Sequence, residues 1–236
     1  MATLVEKFFN TKDELTAELS KTLEQSLREG IENDGRAVLM VSGGSSPAPA
    51  YKHLSTLDLD WKHIDVAMVD ERWVASTHEK SNEAFIKATL LQNYGADANF
   101  ITMKNSAATA QLGAQECEKL YAELKRPFDV TILGMGPDGH TASLFPHSQG
   151  LEDGLNTTQL VCAINAIESD VTGSITERMT LTLNAIAHSK VVKLLISGEE
   201  KLAVYKQAKA QGDVNDMPLR AVLNHPNINV EVYWAP

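Results

Sequence analysis

An aspartate and a histidine lie two positions apart in a glycine-rich loop near the middle of the chain. The run Val130–Leu133 has the length and composition of a buried strand, and it stops at a loop that contains Asp138 and His140. Ligands of open α/β sheets bind beyond the carboxyl ends of the strands. Histidine is the side chain best suited to exchange protons near neutral pH. The segment therefore predicts a catalytic loop in which His140 and Asp138 are the functional side chains.

The same loop has two other interpretations. Gly134, Gly136 and Gly139 fit the G-x-G-x-x-G pattern of a dinucleotide site that follows a strand. However, the carboxylate of Asp138 would repel a pyrophosphate, and the next predicted strand runs into Asn165 instead of the acidic residue expected about 20 residues on. The purely structural interpretation is a tight turn with a capping aspartate. We favour the catalytic loop.

A second glycine turn follows the first predicted strand and reads Gly43-Gly44-Ser45-Ser46-Pro47. Two glycines let a backbone approach a ligand closely. Ser45 or Ser46 can cap the following helix, and Pro47 fits its first turn. Backbone N–H groups and the helix dipole would then form an anion site. Because the Gly-Lys-Ser/Thr of a nucleotide P-loop is absent, the turn favours a single phosphate, and the alternative is a capped turn without a ligand.

Three cations are candidates for holding such an anion. Arg72 follows Asp70 and Glu71 at the end of a predicted strand, where it can contact a phosphate through two hydrogen bonds or brace Asp70. Lys201 falls in the first turn of a predicted helix, where the helix dipole disfavours a positive charge, so an anion-binding role is attractive. Arg178 precedes a run of alternating apolar residues. The alternative for each is an ordinary solvated surface charge.

Composition excludes several classes of protein. The 236 residues carry 31 acidic and 21 basic side chains, a net charge of −10, which argues against a nucleic-acid partner. No stretch approaches the length of a membrane span, and the first residues carry no apolar signal core. The two cysteines, Cys117 and Cys162, predict buried reduced thiols and neither a disulfide framework nor a metal site. We expect a cytoplasmic protein with no obligate protein partner.

Predicted strands alternate with predicted helices along the chain, which is typical of βαβ units and a mostly parallel sheet covered on both faces. The fold expected is one doubly wound α/β domain over residues 1–236, with residues 148–158 as a loop within it. The predicted strands are 36–42, 64–70, 130–133, one near Leu160, 190–196 and 228–234. The predicted helices are 12–29 ending at Gly30, one through Leu54, 81–91, 107–124 and one starting near Glu199.

Taken together, these segments resemble the 6-phosphogluconolactonase family, hydrolases of the oxidative pentose phosphate pathway. The matching segments follow the order of that family from about Val38 to Tyr205. The loop around Asp138 is highly specific, whereas the glycine turn alone would be weak. The matches are Ser42-Gly43-Gly44-Ser45-Ser46-Pro47, Val69-Asp70-Glu71-Arg72-Trp73-Val74, Ser81-Asn82, Leu133 to Pro146, Arg178-Met179-Thr180 and Ile196-Ser197-Gly198-Glu199-Glu200-Lys201.

The resemblance implies a Rossmann-like domain that binds no dinucleotide and uses neither a cofactor nor a metal. It implies that His140 transfers the proton, helped by Asp138, while Asp70 aligns Arg72. The substrate would be a small phosphorylated lactone whose phosphate is held by Gly43, Gly44, Ser45, Arg72, Arg178 and Lys201. Three departures from the family pattern are Ser46 in place of threonine, Ala75 in place of proline, and Ser174-Ile175-Thr176 in place of a proline-rich approach to Arg178.

Two other functions remain as alternatives. Glucosamine-6-phosphate deaminases share the glycine turn and the Asp-Gly-His core, but they resemble Asp-Gly-His-x-Ala-Phe-Asn-Glu-Pro, and Phe145 stands where their glutamate would be. A non-catalytic sugar-phosphate sensor would carry an additional binding module, which this sequence does not show. An acyl-enzyme route through Ser143 is disfavoured because no Gly-x-Ser-x-Gly elbow surrounds it.

Overall fold

Two sheets and eight α-helices make up the computed structural model, which describes residues 2–236. The strands are β1 (Leu4–Phe8), β2 (Ala37–Val41), β3 (Ile64–Met68), β4 (Asp70–Arg72), β5 (Asn99–Ile101), β6 (Val130–Gly134), β7 (Val161–Asn165), β8 (Glu177–Leu181), β9 (Val192–Ser197) and β10 (Val230–Ala235). The helices are α1 (Lys12–Asp34), α2 (Ala48–Ser55), α3 (Asn82–Thr89), α4 (Ala110–Ala122), α5 (Leu151–Asn156), α6 (Leu183–Ala187), α7 (Glu199–Lys209) and α8 (Leu219–Leu223). Two short 3-10 helices cover Trp61–His63 and Asn93–Asp97.

The larger sheet has seven strands in the spatial order β1-β10-β9-β6-β2-β3-β5, and every neighbouring pair is parallel. Strand β2 illustrates how both faces are buried. Its residues Val38 and Met40 belong to the core on one face, and Leu39 and Val41 belong to the core on the other. Helices α1, α2 and α3 cover one face, and helices α4 to α8 contribute to the other. The prediction of a doubly wound, mostly parallel α/β sheet is confirmed.

Helix α1 runs further than the sequence predicts. Thr11 caps its start by accepting a hydrogen bond from the backbone N–H of Glu14 at 3.1 Å, and four leucines spaced four residues apart are buried. The prediction that the helix ends at Gly30 is wrong. A β-carbon at Gly30 would lie 2.7 Å from the Asp129 carboxylate, so this glycine permits close packing inside the helix. The left-handed cap is Gly35, with φ of 72°.

A second sheet, which the sequence analysis did not predict, lies beside the first. Strands β4, β8 and β7 form it in that order, and both pairs are antiparallel. The predicted strand 64–70 is in fact two strands, because the chain changes sheet at Val69. The Val69 N–H donates to Val41 of the large sheet at 2.9 Å, and its carbonyl accepts from Leu181 of the small sheet at 2.8 Å. One residue therefore joins the two sheets.

Other differences concern short elements. Six short elements were not predicted, because their three to five residues are too few for a clear periodic pattern. They are strands β1, β4, β5 and β8 and helices α6 and α8. The predicted loop 148–158 contains helix α5, and the predicted helix 107–124 spans Ala110–Ala122. Cys117 and Cys162 are both buried and free, as predicted. Within residues 2–236, no helix combines the length and the apolar character needed to cross a membrane.

Candidate active site

The direction in which the chain winds across the large sheet reverses between strands β2 and β6. From β2 the chain moves outward to β3 and β5, and from β6 it moves the other way to β9 and β10. Such a reversal opens a crevice at the carboxyl ends of the two central strands, where open α/β proteins bind their ligands. The loop after β2 begins at Ser42, and the loop after β6 carries Asp138 and His140. The two glycine-rich loops predicted to be functional therefore border the same crevice.

The loop after β2 brings bare backbone into the crevice. Gly44 has a φ of 97°, and a β-carbon on Gly43 would lie only 2.2 Å from the side-chain oxygen of Asn82. The expectation that Ser45 or Ser46 caps helix α2 is wrong, because the N-cap is Pro47 and no side chain bonds the first helical N–H groups. Proline carries its own restricted φ into the first turn, so no serine is needed there. Both serines are exposed at the rim of the crevice.

In the loop after β6, the carboxylate of Asp138 holds His140 at two points. Its Oδ1 lies 2.5 Å from Nδ1 of the ring and accepts the backbone N–H of His140 at 3.1 Å. Burial alone would raise the pKa of Asp138, but the hydrogen bond and the charge of His140 outweigh it and lower that pKa. An ionised carboxylate can only accept, so it fixes the proton of a neutral imidazole on Nδ1. The opposite nitrogen, Nε2, is then the basic one, and no hydrogen bond within residues 2–236 uses it.

Close packing and backbone conformations with positive φ fix the position of the His140 ring. A β-carbon on Gly136 would lie 2.1 Å from Nδ1 and Cε1 of the ring, so only glycine fits there. The loop also contains two non-glycine residues with positive φ, Ala142 at 50° and His147 at 53°. Such conformations persist only where surrounding contacts enforce them, and they cluster at functional sites. The loop is therefore rigidly built around the imidazole.

Phe145 lies between the histidine and one of the predicted cations. Its ring centroid is 4.2 Å from that of His140 and 5.3 Å from the guanidinium carbon of Arg178. Arg178 is 3% exposed and lies in β8, where Nε donates to Ile175 and Nη2 donates to Thr172. Burial lowers the pKa of Arg178 to about 10. Holding a buried cation without a carboxylate partner is costly, so an anion at this place would stabilise it.

Arg72 lies directly opposite Arg178 on the neighbouring antiparallel strand. Like charges in that position repel each other unless an anion lies between them. The Nη1 atom of Arg72 donates to Asn82 at 2.7 Å and to the Lys80 carbonyl at 3.3 Å. Across the described part of the chain, its Nε and Nη2 atoms take part in no hydrogen bond, which leaves a pair of donors for a ligand.

The prediction that Asp70 aligns Arg72 needs correction, because Asn82 stands between them. Its Nδ2 donates to the backbone oxygen of Asp70 at 2.9 Å and to Oδ1 of the same residue at 3.2 Å. The other carboxylate oxygen, Oδ2, accepts the hydroxyl of Ser143 at 2.6 Å. Asp70 thus links strand β4, which also carries Arg72, to the loop after β6 through Ser143. It is connected to the side chain of Arg72 only through Asn82.

Glu71 is a structural carboxylate, although it lies between two predicted site residues. It is 1% exposed and accepts four hydrogen bonds. Burial raises its pKa, and the four bonds act in the opposite direction. The donors are the backbone N–H groups of Arg72, Asn82 and Glu83 and the hydroxyl of Ser81. Ser81 also caps helix α3 by accepting from Ala84 at 3.2 Å.

Within residues 2–236, Lys201 forms no hydrogen bond or ion pair with another predicted site residue. It lies in the first turn of α7, which follows β9, the strand hydrogen-bonded to β6. Parallel strands end on the same edge of a sheet, so Lys201 lies on the side of the crevice. Burial lowers its pKa, and in residues 2–236 its ammonium group makes no ion pair.

Sequence reasoning missed the roles of three residues in this arrangement. Asn82 appeared only within a segment that matches the family, Ser143 only as a disfavoured nucleophile, and Phe145 only as the residue in place of a glutamate. The only available signal was their position inside the matching segments. Across residues 2–236, no three His, Cys, Asp or Glu side chains gather so that they could hold a metal ion.

The fold and the site together define an α/β protein whose ligand crevice lies at the switch point of a parallel sheet. The crevice combines an Asp–His pair with bare glycine backbone, the buried Arg178 and the half-buried Arg72. A family model described as glucosamine-6-phosphate isomerases/6-phosphogluconolactonase matches residues 10–234. The chain belongs to this family.

Individual relatives agree along nearly the whole chain. The 6-phosphogluconolactonase of Rhizobium meliloti (strain 1021) is 36% identical over 228 residues, covering 97% of both chains. That of Neisseria meningitidis serogroup A (strain Z2491) is 38% identical over 224 residues, covering 94% of this chain and 95% of the relative. The crystal structure of a 6-phosphogluconolactonase from Shewanella baltica OS155 superposes with a TM-score of 0.94 at 39% identity, covering 99% of this chain and 98% of that one.

Proposed function

We propose that this protein hydrolyses 6-phospho-D-glucono-1,5-lactone to 6-phospho-D-gluconate, a step of the oxidative pentose phosphate pathway. The observation that carries the proposal is the Asp138–His140 pair at the point where the winding direction of the sheet reverses. The Nε2 nitrogen of His140 has no hydrogen-bond partner among residues 2–236. The names of the full-length relatives support the same reaction. Residues 1–236 act as one domain in this proposal, and the only partner it requires is the small phosphorylated substrate.

In the proposed mechanism His140 is the general base. Neutral His140 takes a proton from water through Nε2, and the water oxygen bonds to C1 of the lactone. The tetrahedral oxyanion then collapses, the bond between C1 and the ring oxygen breaks, and the imidazolium returns its proton to that oxygen. Asp138 orients the ring and stabilises the transient imidazolium through Nδ1. The product is the open-chain acid.

The phosphate end of the substrate is proposed to bind away from the base. Gly43, Gly44 and Ser45 would offer backbone N–H groups, while Arg72 and Arg178 would supply charge from opposite strands of the small sheet. Lys201 would approach from the first turn of α7. A dianion between the two arginines removes their mutual repulsion and compensates the burial of Arg178. The cations thus hold the charged tail while the ester faces His140.

Known magnitudes make these groups sufficient without a metal, a cofactor or a covalent intermediate. General base catalysis contributes about 10²–10⁴-fold, and one hydrogen-bond donor to an oxyanion contributes about 10²–10³-fold. The substrate is a strained ester that already opens in water. The hydroxyl of Ser143 donates to Asp70 and is fully buried, so it is not exposed to a substrate in the crevice as a nucleophile would have to be.

The contact made by Phe145 favours hydrolysis over amino-sugar isomerisation. Moving a proton between sugar carbons calls for an additional acid, and the deaminase pattern has a glutamate at this position. Here an apolar ring stacks against His140 at 4.2 Å and is 4% exposed. The site has one proton-transfer group at this end of the loop, which is what lactone opening requires.

The test follows acid release from freshly prepared phosphogluconolactone, with unphosphorylated gluconolactone as the comparison substrate. Wild-type protein should strongly accelerate only the phosphorylated lactone. His140→Ala should reduce the rate toward that of spontaneous opening while 6-phosphogluconate still binds.

His63→Ala is the matched control. His63 also pairs with an aspartate, Asp60, at 2.8 Å, but it precedes β3 and so lies at the amino ends of the strands. This variant should keep full activity. Full activity in His140→Ala, or release of ammonia from glucosamine 6-phosphate by the wild type, would refute the proposed function.

A further inference from the structure

Asn82 contacts more of the proposed anion site than any residue predicted for it. Its side-chain amide forms hydrogen bonds with Asp70 and Arg72, the two ends of strand β4. The same amide packs against Gly43 in the loop after β2. The side chain is 4% exposed, so these contacts replace water. Its backbone N–H is held at 2.8 Å by Glu71, which also fixes the neighbouring N–H groups. The amide is therefore fixed in both position and orientation.

We propose that Asn82 is a positioning residue that keeps Arg72 apart from the carboxylate of Asp70, so that the guanidinium remains available for the substrate phosphate. The proposal rests on the proposed function, since it assigns the phosphate to Arg72. Asn82 presents its oxygen to Arg72 at 2.7 Å and its nitrogen to Asp70 at 3.2 Å. It satisfies both charged groups without letting them meet.

A neutral amide is the one short side chain that can do this. It carries an acceptor and a donor on the same carbon, whereas aspartate would attract Arg72 and repel Asp70, and alanine would bond neither. Direct pairing of an arginine with a carboxylate forms two charge-assisted hydrogen bonds and uses the donor fork that would otherwise grip a phosphate. Ser143 already satisfies the far oxygen of Asp70, so the oxygen facing Asn82 is the one that would capture Arg72.

At the amino ends of β2 and β3 in the large sheet, an arginine and an aspartate pair directly, with no amide between them. Arg36 and Asp65 form two hydrogen bonds of 2.6 Å each, and Asn99 donates to the same carboxylate from the side at 2.7 Å. The hydrogen bonds that Arg36 donates to Asp65 raise the pKa of Arg36, as expected for a charge committed to its partner. The same three residue types are present at both ends, but only at the crevice does the amide separate the charges.

The experiment compares Asn82→Asp with Asn99→Ala as the matched control. Asn82→Asp preserves shape but offers Arg72 a carboxylate, so KM for phosphogluconolactone should rise about 10–100-fold, the range of one charge-assisted contact. The value of kcat should stay within about threefold, because His140 is untouched. Turnover of unphosphorylated gluconolactone should not change, and Asn99→Ala should behave as wild type on both substrates.

A double-mutant cycle with Arg72→Gln separates positioning from a general structural role. If Asn82 acts through Arg72, then Asn82→Asp adds little to the KM of Arg72→Gln. Independent, multiplying effects, or equal losses on both lactones, would overturn the proposal. If Asn82→Asp does not fold, Asn82→Ala, which bonds neither group and leaves Arg72 free to pair with Asp70, replaces it in the same cycle and should likewise raise KM only when Arg72 is present.

Calorimetric binding of 6-phosphogluconate to the same variants distinguishes the two proposals. If the wild type binds this ligand but hydrolyses no lactone, the proposed function fails, and the cycle in Kd still tests Asn82. If the wild type hydrolyses the lactone and Asn82→Asp leaves KM and Kd unchanged, the positioning role fails alone.

Discussion

A single methyl group at Gly136 should move the imidazole of His140 out of position. Ordinary contacts begin at 3.4 Å, and the added β-carbon would start 2.1 Å from Nδ1 and Cε1 of His140 and 2.7 Å from the Asp138 carboxylate. The ring must therefore move by about 1 Å, a displacement that costs about 10²-fold in rate. This corresponds to about 2.7 kcal/mol of lost transition-state stabilisation. Gly136→Ala should lower kcat by that factor.

Gly134→Ala is the control two residues away. An added β-carbon there would have no neighbour within 4 Å, and the backbone φ of Gly134 is not in the left-handed region. The assay is initial-rate acid release, corrected for spontaneous opening, together with thermal melts and 6-phosphogluconate binding. Overpacking should destabilise Gly136→Ala by about 1–3 kcal/mol, but binding should persist because the phosphate contacts lie elsewhere. A well-folded Gly136→Ala protein with kcat within threefold of wild type would refute the inferred position of the ring.

Three further predictions address the carboxylates and the remaining cation. Asp138→Asn replaces the obligate acceptor at Nδ1 with a group that can donate, so kcat should fall by about 10²–10⁴-fold in steady-state assays. In the wild type the pKa of Asp138 is lowered, so its pairing stabilises the fold above the unfolded-state pKa of about 4 and this contribution disappears as pH falls. Thermal melts of Asp138→Asn should accordingly show a shallower loss of Tm between about pH 5 and pH 3, and an identical slope would contradict the assignment. Glu71→Gln exchanges an acceptor of four hydrogen bonds for a group with one oxygen, and urea unfolding should show a loss of about 1–3 kcal/mol for each donor left unpaired. Lys201→Ala should raise KM for the phosphorylated lactone and leave kcat in place, and a lower kcat at unchanged KM would remove Lys201 from the phosphate site.

Sequence patterns predicted those parts of the molecule that depend on neighbouring residues. The glycine turn at Gly43, the Asp138–His140 pair and the alternation of strands and helices are local features, readable within a few residues. The doubly wound sheet followed from that alternation, and the two loops border one crevice because parallel strands end on a common edge.

The contacts that complete the site join residues far apart in the chain, and no local pattern encodes them. Ser143 and Asp70 are 73 residues apart, and their hydrogen bond depends on the small antiparallel sheet. That sheet was hidden because residues 64–70 form a continuous, largely apolar run. The change of sheet occurs at Val69, which bonds to both sheets through ordinary backbone groups and leaves no mark on the amino-acid pattern.

In the proposed function, the two sheets have different roles. The parallel sheet supplies His140, the proposed proton-transfer group, and the glycine turn, the proposed source of backbone N–H groups for the anion. The antiparallel sheet supplies Arg72 and Arg178. Two of its strands, β7 and β8, lie between β6 and β9 in the sequence, and the third, the short strand β4, follows β3. In a chain with a net charge of −10, the buried Arg178 and the half-buried Arg72 lie opposite each other on two short strands and concentrate positive charge there. Selectivity for a phosphorylated substrate should therefore change with substitutions in the small sheet, while the chemistry of ester opening should change with those in the His140 loop.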